Sequence, residues 1–157
     1  MNMSFSEKSA WLSFIITLAI WGKYVFEVLQ LGGSALNITE QRALALSMLA
    51  YATLFVIIAE SVFHAIIAMA NPSDANQVGD ERDKSISNKA TSAAYGILFT
   101  GVIITIVHLL IFEYFPEISA NSSLQIPFLS AHILIIFGLL SELGRFGYMI
   151  GSYRKEA

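Results

Sequence analysis

Residues 44–69 read LALSMLAYATLFVIIAESVFHAIIAM, an apolar run with a carboxylate, Glu60, and an imidazole, His64, near its end. About 20 apolar residues in a helix cross the roughly 30 Å hydrocarbon layer of a bilayer, so this run is long enough to span one. An ionisable side chain at such a depth is costly and needs a partner or a task. Glu60 and His64 stand four apart, so on a helix they project from one face one turn apart, where they can share a proton or a metal ion.

The whole chain has the same character. Of its 157 residues 55% are hydrophobic and only 13% charged, and the mean hydropathy is +0.64. These values point away from a soluble domain and toward the lipid bilayer as solvent. The net charge of -3, with basic residues scattered, argues against nucleic acid as a partner. Cysteine is absent, so thiolate metal sites, disulfides and cysteine nucleophiles are excluded.

Four spans are expected, at about 11–31, 43–70, 93–115 and 127–150, forming an all-α integral membrane four-helix bundle of two hairpins in one transmembrane domain, residues 1–157. Ser4-Phe5-Ser6-Glu7 has capping-box spacing and predicts a brief interfacial helix ahead of the first span. That span is too long for a signal peptide, and Lys23 and Glu27 near its far end have the i,i+4 spacing of an interfacial ion pair. Gly32-Gly33 ends it, and Asn37 with Glu40 has capping-box spacing for the second helix. Asn71-Pro72 closes that helix. The stretch 71–92 is then a cytoplasmic loop and a candidate docking segment for a membrane or cytoplasmic partner protein. Pro116 ends the third helix and Pro127 opens the fourth. In the fourth, Gly147 and Gly151, with Gly138, Ser141 and Gly144, make a small-residue face suited to close helix packing.

Asp80-Glu81-Arg82-Asp83 precedes Ile86, Ala90, Ala94 and Tyr95, and acidic residues at this position favour the positive end of a helix dipole. The third helix is therefore expected to start near Asp80 in water. Residues 80–95 resemble a loosely defined group of small bacterial membrane proteins, in which an Asp-Glu-Arg-acidic motif leads through an isoleucine and small residues into a membrane helix. The resemblance implies a membrane helix and, with it, a bacterial inner membrane; it implies no particular chemistry. Lys8, Arg82, Lys84, Lys89, Arg154 and Lys155 flank one side of the spans and essentially Arg42 the other, so both termini are expected in the cytoplasm.

Counting depth at about 1.5 Å per residue sorts the polar groups into two layers. Glu60, His64, Glu142 and Arg145 share an inner layer and form a candidate proton or ion site, with paired charges that fix helix register as the plain structural reading. His108, His132 and Glu27 share an outer layer, where hydrogen bonds between helices, a divalent metal site and a bis-imidazole haem are the alternatives. Phe26-Glu27 echoes Phe112-Glu113, and Ala59-Glu60-Ser61 echoes Ser141-Glu142, for which a parallel duplication of the hairpins and a chance likeness of apolar helices are the alternatives. Nothing in the sequence supports an enzyme: there is no nucleophile motif and no phosphate-binding glycine loop. The expected function is proton or cation handling in a homo-oligomer, because one such bundle encloses little room for a path. An accessory or regulatory subunit and a haem or metal redox protein are the alternatives.

Overall fold

A computed structural model describes residues 3–70, 72, 81–115, 117–118 and 126–155. Among the described residues the fold consists of four long helices, α1 (Phe5–Leu31), α2 (Ile38–Ala70), α3 (Glu81–Tyr114) and α4 (Leu129–Lys155). Each is long and apolar enough to cross a bilayer, and the described residues contain no strand. The protein is an integral membrane four-helix bundle built from two hairpins, α1 with α2 and α3 with α4.

Local chemistry sets the helix starts. Ser4 Oγ accepts the Glu7 backbone N–H at 3.1 Å, and α1 runs on without a break, so the expected interfacial helix and first span are one element. At α2 both halves of the capping box form: Asn37 Oδ1 accepts the Glu40 N–H at 3.0 Å, and Glu40 Oε2 accepts the Asn37 N–H at 3.2 Å. α3 starts at Glu81, beside the expected Asp80, so the 81–92 part of the stretch between the second and third spans is helical, and its acidic first turn suits the dipole. The remainder of that stretch, at 71 and 73–80, lies outside the described residues, as does Pro116. Pro127 lies in a turn two residues ahead of α4 instead of opening it. Between them Phe128 adopts φ 58°, a left-handed conformation uncommon for a bulky side chain.

The extensive contacts run in series, α2 on α1, α1 on α4 and α4 on α3. A two-fold relation between the hairpins would pair α2 with α3 as α1 is paired with α4. Among the described residues α2 and α3 make no comparable contact, so the bundle is open along that side. The dry core, Tyr24, Val28, Ala52 and Ile126 packed with Trp21, Met48 and Ile135, sits toward the α1–α2 turn. A tight helix approach occurs at Gly101 of α3, where a Cβ would fall 2.1 Å from Phe137 Cβ of α4. Beside it Ser141 Oγ donates to the Ala94 carbonyl at 2.7 Å, and a Cβ on Gly144 would meet Ile97 at 3.0 Å. Gly147 is looser, with Phe14 at 3.9 Å from the position of a Cβ, and Gly151 faces open space.

A polar knot ties the other end. Ser6 Oγ donates to Asp83 Oδ2 at 2.8 Å, Arg154 Nε donates to Glu7 Oε1 at 2.9 Å, and the Arg82 guanidinium lies 6.0 Å from the centre of the Tyr153 ring. The start of α1 is thereby joined to the start of α3 and the end of α4. The Glu7 side chain is only 8% exposed, so its carboxylate relies on protein partners. Arg154→Ala is expected to lower stability in detergent by about 2 kcal/mol, the worth of a hydrogen bond to a charged group. Adding Glu7→Gln to that variant should recover part of the loss, and thermal unfolding of the two variants checks it.

Candidate functional site

From the dry core toward the chain termini the helices leave a cleft of about 930 Å³. The side-by-side helices α1 and α4 form its floor, Val56, Glu60 and His64 of α2 form one wall, and Leu98 of α3 touches the opposite edge. All four residues of the inner layer, Glu60, His64, Glu142 and Arg145, line this one space. Fixed helical rise put them at one depth; the packing turns them into one cleft.

The cleft contains a compact hydrogen-bonded cluster. His64 Nε2 lies 2.8 Å from Glu60 Oε2. Ser13 of α1 bridges the pair, donating to Glu60 Oε2 at 2.8 Å and lying 2.9 Å from His64 Nε2. Ser9, one turn earlier, lies 3.0 Å from His64 Nδ1. Both imidazole nitrogens thus face groups that can accept a hydrogen, and a hydroxyl can donate as well as accept. The cluster keeps its hydrogen bonds whether the imidazole carries one proton or two. Across the cleft Arg145 donates from Nε at 3.1 Å and from Nη2 at 2.8 Å to the same oxygen of Glu142, with its guanidinium 4.5 Å from the centre of the Phe146 ring.

Sequence reasoning overlooked the α1 side of this arrangement. Ser6, Ser9, Ser13 and Thr17 follow one another at intervals of three or four, a hydroxyl stripe along one helix face, and all four line the cleft. The stripe was visible as a period in an otherwise apolar span. Single hydroxyls in such helices carry little signal, because they commonly bond their own backbone, as Ser47 does to the Leu44 carbonyl and Thr100 to that of Gly96.

The outer layer does not assemble. Glu27 pairs with Lys23 at 2.6 Å, His108 Nδ1 lies 3.0 Å from Ser130 Oγ, and His132 Nδ1 lies 2.8 Å from the Tyr24 hydroxyl in the dry core. Among the described residues no three His, Asp or Glu side chains are grouped so as to hold a metal ion. Of the alternatives for Glu27, His108 and His132, the contacts present are hydrogen bonds and an ion pair with separate partners: similar depth did not mean similar direction. His132 Nε2 is buried without a hydrogen-bond partner among the described residues. The space beside that residue is about 20 Å³, room for one water molecule and none for a porphyrin.

No family model matches the chain, no curated protein matches it, and no solved structure matches it.

Proposed function

We propose that this membrane protein binds or transports protons or small cations, with the exchangeable charge held at the Glu60–His64 pair and tuned by Glu142 and Arg145. The observation that carries this reading is the cluster itself: a carboxylate and an imidazole 2.8 Å apart, bridged by Ser13 and backed by Ser9, on the wall of a cleft within the membrane-spanning helices. Imidazole is the side chain whose charge ordinarily changes near neutrality, and this one has hydrogen-bond partners in either state. The positive flanks favour both termini on the cytoplasmic side. The cleft then lies in the cytoplasmic half, and its open side makes a homo-oligomer the natural assembly.

Purified protein in liposomes with an imposed pH gradient tests this reading. The gradient should collapse faster than in protein-free liposomes, and His64→Gln should return the rate toward the protein-free value. Wild-type liposomes that hold the gradient as long as empty ones, with either sodium or potassium as the counter-ion, overturn the assignment.

A further inference from the structure

The cleft is far larger than a proton or a hydrated metal ion requires. Its volume of about 930 Å³ is at the upper end of the range for organic ligands, roughly 300–1,000 Å³. It is elongated, since its lining on α1 runs from Phe5 to Trp21, about 24 Å at the helical rise per residue. It is also divided along its length. Glu60, His64, Glu142 and Arg145 occupy the part nearer the chain termini, whereas Trp21, Val56 and Ile135 line the part nearer the dry core. Its open side lies between α2 and α3, which make no extensive contact among the described residues.

Charge selects the head group. Among the lining residues α2 contributes Glu60 and His64, α4 contributes Glu142 and Arg145, and α1 and α3 contribute no titratable side chain. The Arg145 guanidinium is engaged by Glu142. With neutral imidazole the lining carries two carboxylates against one cation, so one negative charge is unmatched; a proton on His64 cancels it.

From this charge and shape we infer that the cleft binds an amphipathic ammonium, its cationic head at Glu60 and its alkyl chain along Trp21, Val56 and Ile135, in exchange for the proton on the Glu60–His64 pair. The assignment deepens the proton-linked reading of the same cleft and rests on it. Head and proton neutralise one and the same charge, so each displaces the other. An alkyl chain reaches the groove from within the membrane through the open side.

Titration of dodecylammonium chloride into the purified protein in a non-ionic detergent tests this inference, with dodecanol as the uncharged control. The amine stays protonated between about pH 5.5 and pH 8, so any pH effect belongs to the protein. Binding should weaken on acidification over that range, and Glu60→Gln should weaken it at pH 8 by roughly tenfold or more, the worth of one charge-assisted contact. Gly138→Leu fills the groove without changing its charge, at a position where a Cβ meets nothing within 4 Å, and should weaken binding as well. Equal binding of dodecanol, or binding unchanged in both variants, overturns the inference. So does an absence of binding because a second copy of the chain fills the groove, which a dimer by light scattering would reveal. Competition by phosphatidylethanolamine in nanodiscs assigns the head to a membrane lipid, and unchanged binding assigns it to a free amine. Binding without collapse of a pH gradient sinks the proton-linked reading and leaves the ligand standing; collapse without binding does the reverse.

Discussion

Replacing Glu60 with glutamine is expected to reduce the protein-dependent collapse of a pH gradient by at least roughly tenfold, equivalent to about 1.4 kcal/mol or more. Glutamine has the shape of glutamate, and its amide oxygen can still accept from Ser13, which donates to Glu60 Oε2 at 2.8 Å. It cannot take up or release a proton, and it carries no charge to hold one on His64. Geometry is kept and exchangeable charge is removed, so flux should fall while thermal unfolding in detergent stays near the wild-type value. Glu60→Asp retains the charge on a shorter arm and should restore part of the flux. If Glu60→Gln leaves flux untouched, the carboxylate serves only to hold α2 in register. If it unfolds the protein, the Asp variant decides between the two roles.

The largest loss of stability is expected at Gly101. A Cβ there would sit 2.1 Å from Phe137 Cβ and 2.5 Å from Phe137 Cγ, so the obstacle is the root of the neighbouring side chain, and a change of rotamer cannot relieve it. Gly101→Ala must push α3 away from α4 and strain the neighbouring Ser141 bond to the Ala94 carbonyl. Overpacking of this kind costs about 1–3 kcal/mol and occasionally more. Gly96→Ala, on the same helix with nothing within 4 Å of its Cβ, should be neutral or stabilising, since alanine is the better helix former. Adding Phe137→Ala should not rescue Gly101→Ala, because the clashing Cβ remains; Phe137→Gly should. Melting temperatures of the four variants in one detergent check the whole set.

Depth was legible in the sequence because helical rise is fixed. That is why counting along the spans puts residues as far apart in the chain as Glu60 and Arg145 in one layer. Direction was not legible. The spans are apolar nearly all round, and on α2 only Gln41, Ala45 and Ala52 are buried, so no stripe of hydrophobic residues announces which face meets a neighbour. His132 therefore turned into the core beside Tyr24, whereas the Lys23–Glu27 pair, set by local i,i+4 spacing, formed as expected. The glycine pair singled out on α4 had a recognisable spacing. The tighter contact at Gly101 had none, because it depends on the placement of Phe137 in another helix. The capping box at Asn37, by contrast, is a purely local arrangement and formed in full.

Of the four helices α2 leans on a single extensive neighbour, α1, and at the level of the cleft Ser9 and Ser13 of α1 meet His64 and Glu60 of α2. The atoms that would carry a proton are thus also rivets in the seam between those two helices. They fasten α2 at one end, while the packing around Tyr24 and Ala52 holds the other. Chemistry and mechanics at this seam are therefore coupled through one set of bonds.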